Sequence, residues 1–485
     1  MYLQRMYPKP AYFKEYDTEP FYFGSEITAR LSGNVSDKIV EGMKELWNSF
    51  SFTASSLKVE KVKGDDFYIL IGDRDVPAAG DYYTIASSAA GAALSAISEK
   101  ALFDGFTTLV QLITPVELSE GNERLFVCPC DIKDKPTISF RSIHLCVFPE
   151  CELYTIEKLI RLAGFLKLTH VVLEFWGVLK YDSNPYLGWS KSAFTKDQIR
   201  PLIKVAHSLG LEVIPMFNHF GHASQQRGAI GRHVTLNQNP RMQMLFEPDG
   251  WTWCLSNPNA IKLLGDIRDE LCELCGNGDY FHIGCDEAYS FATCSKCASR
   301  VPYELYAEHI NAITASLSKK GRRPIMWHDE LINRSDFKCV DTVVANGHVH
   351  NTYPALDLLD KRVIIADWQY YYKTKDNPTT PYFIKKGFDT VLCPWDELPN
   401  VRALCDTCRD LGAYGVMLTT WHHLYGYIRL FTSVADMLWQ GSDDNFDTVA
   451  RMEAAAILRK VYPSDDFERS GWHPYEVLPY PEYLG

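Results

Sequence analysis

HVVLEF (residues 170–175), TKDQIRPLIKVAHS (residues 195–208) and EVIPMF (residues 212–217) follow one another as candidate strand, helical pattern and candidate strand. A helix that follows a strand favours parallel pairing through a right-handed crossover. Working outward, the same rhythm holds from residue 138 onward. Candidate strands fall at 138–147, 170–175, 212–217, 280–283, 324–327, 363–368, 390–393 and 416–421, with helical patterns such as 155–167, 259–274 and 303–318 between them. Eight such units close into a (β/α)8 barrel. The tail after Ile428 is expected to supply the last helix and an extension.

The first 133 residues read differently, as a small α+β layer of β-α-β-β-α-β type. SDKIVEGMKELWNSF (36–50) opens on Ser36, a candidate N-cap, and puts Ile39, Met43, Leu46 and Trp47 on one helical face. FYILIG (67–72) and DYYTIA (81–86) are expected to form a hairpin, the Ala- and Leu-rich run 89–113 a second helix, and 124–128 a closing strand. DIKDKPT (131–137) reads as a linker. The expected division is 1–133 for the front domain and 134–485 for an α/β barrel with a helical extension.

Composition narrows the function. With 485 residues, 46% hydrophobic and 13% aromatic, the chain can bury a large core and is not disordered. A net charge of −12 repels phosphate backbones, so nucleic acid is not an expected partner. The longest apolar candidate, around 171–179, is interrupted by Glu174 and falls short of the roughly 18 residues a membrane helix needs. The opening MYLQRMYPKPAYFKEYDTEP lacks a basic stretch followed by an apolar one, so a cytoplasmic location is the expectation. Fourteen cysteines, all at or after Cys128, are too sparse for a disulfide scaffold. Reduced thiols are expected, with a four-thiolate zinc site built from two C-x-x-C pairs as the less favoured alternative. The expectation is therefore no metal and no cofactor.

In a (β/α)8 barrel the chemistry stands at the C-terminal strand ends. Polar and aromatic residues gather there: Arg141 and His144, Glu174 and Trp176, Asn218 to His222, Trp327 to Asp329, Trp368 to Tyr372, Trp395 and Asp396, and Trp421 to His423. The fourth segment, YFHIGCDEAYS (280–290), sets Asp286 and Glu287 side by side after a strand end. Neighbouring carboxylates in a low-dielectric cleft push their pKa values apart, so that one can stay a protonated acid while the other stays charged.

HIGCDE (282–287) resembles the H-x-G-x-D-E signature of glycoside hydrolase family 20, the β-N-acetylhexosaminidases, and the likeness is closest to the divergent intracellular branch. Arg141 in FRSIHL falls where that family has its first-strand arginine, and VIPMFNHFGHA (213–223) resembles its third-strand segment, with His222 as its histidine. RPIMWHDEL, ADWQYY and LTTWHHLYG resemble the segments whose tryptophans, here Trp327, Trp368 and Trp421, would box the terminal sugar. The run 89–113 resembles the long helix that precedes the family's barrel, so the likeness covers nearly the whole chain.

Departures are Cys285 for the family's second glycine, Glu174 and a more distant Asp182 for its paired acids after strand two, Asp396 near the place of its acetamido-binding tyrosine, and His423 for a glutamate. Tyr370, on the pleat side of Trp368, is the expected replacement for that tyrosine.

The resemblance implies substrate-assisted catalysis on a terminal N-acetylhexosamine. Asp286 would orient the 2-acetamido group as nucleophile and Glu287 would serve as general acid and base. Arg141, Glu174, His222, Trp327, Trp368, Tyr370, Trp395 and Trp421 would bind the sugar. A glycan substrate is the implied partner, and a homodimer is left open because family members with a missing wall residue can borrow one from a neighbouring subunit. Two other readings stand beside this one: a barrel glycosidase with a carboxylate nucleophile, and a catalytically silent sugar-binding barrel.

Overall fold

The computed structural model describes residues 6–50, 56–80, 82–119, 122–149, 151–224, 234–337, 343–421, 424 and 428–441. Eight parallel strands close a barrel: β1 (Phe140–Val147), β2 (His170–Phe175), β3 (Glu212–Met216), β4 (Tyr280–His282), β5 (Arg323–Trp327), β6 (Ile364–Asp367), β7 (Thr390–Leu392) and β8 (Gly415–Leu418). β8 pairs back onto β1, with Gly415 opposite Phe140. Phe140, Val172, Ile214, Ile325, Ile364, Val391 and Met417 fill the interior as one apolar cluster, as a barrel of this size requires.

The outer helices start and stop where local chemistry dictates. Thr195 caps Lys196–Ser208 in a reciprocal box with Gln198, and Asn257 caps Pro258–Cys275, which ends at Gly276 with φ 74°. Leu153–Phe165 and Pro302–Ser318 complete the set expected from periodicity. The last barrel helix is Ile428–Trp439, and the expected extension beyond it lies outside the described residues. No helix among the described residues is long and apolar enough to cross a membrane.

The front domain corrects three expectations. Its seven-stranded sheet runs Tyr12–Glu15, Cys130–Asp134, Tyr83–Ser88, Gly91–Ala96, Phe67–Gly72, Glu26–Ser32, Ser56–Lys61. The run 89–113 is therefore not one helix. Gly91–Ala96 is a strand and only Glu99–Leu112 is helical, capped by Ser98. Ala92, Ala93 and Leu94 are wholly buried between two neighbouring strands, a placement that overrides the helical preference of alanine.

Strands 67–72 and 83–88 do not form a hairpin with each other. Each pairs with Gly91–Ala96, and the tight hairpin turn is at Ala89 and Ala90. The segment 131–137 is not a free linker either, since Cys130–Asp134 is a strand paired on both sides. The amphipathic helix Asp37–Phe50 does bury Ile39, Met43, Leu46 and Trp47. It meets the barrel helix Lys196–Ser208 at Gly42, where a Cβ would lie 2.0 Å from the Ser208 carbonyl oxygen.

A buried polar cluster joins this domain to the barrel floor. Lys167 Nζ donates to the Tyr83 hydroxyl at 2.7 Å and lies 3.5 Å from Asp134, while its ammonium sits 4.4 Å from the Trp439 ring centroid. Trp439 Nε1 donates to Asp134 at 2.8 Å, and Tyr83 donates to the other oxygen of the same carboxylate. Arg141 lies 3.7 Å from Asp104 of the front helix Glu99–Leu112 and over the Trp439 ring.

Candidate active site

β4 delivers the acid pair through a backbone with four residues at positive φ: Gly284 65°, Cys285 76°, Glu287 47°, and, across from them, His222 51°. Left-handed backbone costs about 1–3 kcal/mol at a non-glycine residue and persists only where its surroundings over-determine it. Here they do. Glu287 N donates to Asp329 Oδ2 at 3.0 Å, Ala288 N to Glu330 Oε1 at 2.9 Å, and the Tyr306 hydroxyl to the Cys285 carbonyl at 3.0 Å, while the Trp251 indole donates to the Glu287 carbonyl. Cys285 thus occupies a conformation that favours glycine. Gly221 has no alternative: a Cβ there would stand 1.9 Å from the Asp286 carbonyl oxygen.

His222 Nε2 faces both acids, 3.2 Å from Glu287 Oε2 and 3.5 Å from Asp286 Oδ2. Its ring lies between those of Trp176 (centroids 5.2 Å apart) and Trp251 (4.8 Å). Burial alone would lower its pKa, but the two carboxylates raise it to about 10, so the ring is an imidazolium at neutral pH. Neither Glu174 nor Asp182 supports it. Glu174 bonds His144 Nε2 at 2.9 Å and Asn218 Nδ2 at 2.7 Å, and Asp182 pairs with Lys196.

The two acids diverge in the sense opposite to the roles the resemblance implies. Burial raises Asp286, and Glu287 and Glu174 add to the rise against the pull of His222. Burial also pushes Glu287 upward, but the bonds from His222 and Tyr289 outweigh it and hold its pKa below the ordinary value. Exposure explains the split: the Asp286 side chain is 10% exposed and that of Glu287 31%.

Behind them, burial raises Asp329 well above the usual carboxylate range and Glu330 to about 7, and the charges of Asp286 and Glu287 add to both rises. Asp329 Oδ2 also accepts from Asn346 at 2.8 Å, and Glu330 Oε2 accepts from Thr352 at 2.8 Å.

The aromatic residues close the mouth. Trp368 Nε1 donates to Asp329 Oδ1 at 3.2 Å. Tyr370 packs at a tilt against Trp368 (5.1 Å) and Trp395 (5.4 Å), and its hydroxyl accepts from Trp421 Nε1 at 2.8 Å. Trp421 lies 4.7 Å from the His144 ring and 5.9 Å from Trp327, which forms the buried floor. Tyr371, by contrast, points to solvent at 64% exposure. Asp286, Glu287, Glu174, His222, Trp327, Trp368, Tyr370, Trp395 and Trp421 therefore share one end of the barrel. His423 lies outside the described residues.

Arg141 does not join them, which corrects its assignment as a sugar ligand. It is the second residue of β1, at the opposite end of the strand from the mouth. Phe140, packed in the interior, and His144, at the mouth, share its inner face, so alternation turns Arg141 outward. Its guanidinium donates to the carbonyls of Lys167 (2.9 Å), Ile138 (2.9 Å) and Ser139 (3.0 Å). Arg141→Met should destabilise the fold by about 1–3 kcal/mol in a denaturant melt, because it strips the buried carbonyls of Lys167, Ile138 and Ser139 of their donor, while Asp104 keeps Lys100 and Tyr82. KM should stay within about twofold of wild type, since no uniform substrate binding is removed. A large rise in KM with unchanged stability would restore the sugar-binding role.

His144, Asn218 and Asp329 stand at strand ends in the sequence without a role attached to them there, and Trp251, Tyr289 and Glu330 are not among its candidate site residues. The second Asp-Glu pair in WHDEL was a usable signal. Trp251 lies in a long irregular connection and gave none.

A closed parallel barrel with an acid pair at the mouth of its fourth strand and an aromatic wall around it is the layout of a barrel hydrolase for a ring-shaped substrate. The chain belongs to glycosyl hydrolase family 20, whose catalytic-domain model matches residues 178–427. It is 25% identical to lacto-N-biosidase of Bifidobacterium bifidum over 221 residues, 42% of this chain and 19% of the relative. It is 24% identical to hexosaminidase D of Bos taurus over 192 residues, 37% of this chain and 51% of that protein. The chain thus spans about half or less of the length of these curated relatives.

Among solved structures, a β-N-acetylhexosaminidase of Bacteroides fragilis aligns over 94% of both chains with a TM-score of 0.68 at 17% identity. An exo β-N-acetylglucosaminidase of Vibrio harveyi aligns over 94% of this chain and 77% of its own with a TM-score of 0.70 at 16% identity. These likenesses concern the fold.

Proposed function

We propose that the protein is an exo-acting β-N-acetylhexosaminidase that removes terminal β-linked N-acetylhexosamine with retention, using the substrate's own acetamido group as nucleophile. The observation that carries this reading is the delivery of Asp286 and Glu287 from one strand end, both on His222, instead of from opposite sides of a cleft. A pair so placed suits one acid for the leaving group and one for the acetamido N–H, and substrate assistance is the recognised exception to the two-carboxylate scheme. The reading agrees with the hexosaminidases found among the relatives.

In this mechanism Asp286 orients the amide and offsets the positive charge that develops as its carbonyl oxygen attacks the anomeric carbon. Glu287 protonates the departing oxygen and then takes a proton from water. Its proton has a local source. A sugar filling the mouth removes the solvent that now reaches Glu287, which raises its pKa, and the His222 proton stands 3.2 Å from its Oε2. Tyr370 is assigned to the acetamido oxygen, with Trp327, Trp368, Trp395 and Trp421 stacking on the ring and Glu174 holding hydroxyls.

The test is a panel of aryl β-glycosides with and without the 2-acetamido group. Cleavage confined to the acetamido substrates supports the proposal. Equal cleavage of plain glucosides overturns it in favour of a carboxylate nucleophile, and no cleavage of any member in favour of a silent binding barrel.

A further inference from the structure

A second cluster lies beside the mouth and takes no part in the proposed mechanism. Glu247 and Cys254 come from the connection between β3 and the helix Pro258–Cys275, and Cys294 and Cys297 from the connection after β4. Four of their side-chain atoms, one from each residue, lie within 4.8 Å of one another. Cys254 Sγ is 3.4 Å from Cys294 Sγ and 3.6 Å from Cys297 Sγ. A tetrahedral zinc ion with Zn–S bonds of about 2.3 Å sets sulfur–sulfur edges of about 3.8 Å, so the thiols already stand close to the required spacing.

Glu247 supplies the independent sign of a cation. It is wholly buried, and its Oε2 accepts from the backbone N–H of Thr293 (3.1 Å) and Cys294 (2.6 Å). Its Oε1 is buried with no hydrogen-bond partner among the described residues. A buried carboxylate oxygen without a partner is expensive, and a positive charge among the thiols would satisfy it. Outside the cluster the thiols turn to Ser256, whose hydroxyl stands 3.3 Å from the Cys297 sulfur and whose backbone N–H faces the sulfurs of Cys254 and Cys297. The other C-x-x-C pairs do not build the two-pair site weighed from the sequence: Cys272/Cys275 and Cys405/Cys408 lie along two separate helices.

We propose that Glu247, Cys254, Cys294 and Cys297 bind one zinc ion in a four-coordinate structural site, which revises the expectation of a metal-free protein. Thiolate-rich tetrahedral donors select zinc among the common divalent ions. Binding is not a redox event: three Zn–S bonds and one Zn–O bond form while the thiols release their protons to solvent.

The location gives the ion a positioning role. Glu247 and Cys254 bracket Trp251, in a loop closed by the Phe246–Trp253 bridge and the Glu247 N to Thr252 carbonyl bond at 2.7 Å. Trp251 donates to the Glu287 carbonyl, and Cys294 lies on the segment that leaves Glu287. The zinc ion would tie both arms that hold the acid to one point.

The test is elemental analysis of the full chain purified under reducing conditions without chelator, then reconstituted with Zn²⁺ alone. About one zinc per chain is expected, falling below about a tenth in Cys254→Ser/Cys297→Ser and staying near one in Cys405→Ser/Cys408→Ser. X-ray absorption at the zinc edge should give three sulfur neighbours and one oxygen, and it decides the matter even where the double variant fails to fold. Absence of stoichiometric zinc after reconstitution, iron in its place, a Cys254–Cys294 disulfide, or full zinc content in a folded Cys254→Ser/Cys297→Ser protein would each overturn the site.

Discussion

Glu287→Gln should lower kcat/KM toward an N-acetyl-β-glucosaminide with an alkoxide-like leaving group by about 10²- to 10⁴-fold, the usual share of a positioned general acid. The amide keeps the shape of the carboxyl and can still accept from His222, so the loss reports the proton and not the packing. A leaving group that departs without protonation, such as a dinitrophenolate, should recover much of the first step. The slow step then becomes attack of water, where Glu287 is again needed as base. Parallel measurement with the two leaving groups checks this. Equal losses for both in the first step, or no loss for either, would move the acid role elsewhere, with Asp329 and Glu330 as neighbouring carboxyls whose pKa burial raises.

Asp286→Asn removes a charge where positive charge develops, and a preorganised electrostatic contact of this kind is worth about 10²- to 10³-fold in kcat. The same substitution should weaken a thiazoline mimic of the cyclised intermediate far more than it weakens the product sugar, because the mimic carries the charge of the reacting state. Inhibition constants for the two compounds on wild type and variant supply the comparison. Parallel weakening of both would mean that Asp286 only shapes the pocket.

The barrel was legible because its strands are short apolar runs that mostly alternate with helices, two of which carry their own start signals, Thr195 with Gln198 and Asn257 before Pro258. The front sheet was less so. Gly91–Ala96 consists of small residues that suit either element until two neighbouring strands claim them. At the site, the acid pair and the tryptophans were readable from their places after strand ends. The direction of Arg141 was not, because β1 is buried on both faces and its pattern carries no alternation to separate inside from outside. The opposite pKa shifts of Asp286 and Glu287 depend on burial and on His222, which reaches them from another strand's connection. No local pattern contains that information.

The polar cluster beneath the barrel bears on how such a protein can be rearranged. Two of its cations, Arg141 and Lys167, belong to the barrel, whereas their counter-charges Asp104 and Asp134 arrive on the front helix and the front sheet. A foreign domain packing an apolar face there would leave both cations buried without these acids, at a penalty of about 3–5 kcal/mol for each broken pair. A barrel grafted onto a foreign leader would therefore need matching acids at the same two points to keep both pairs.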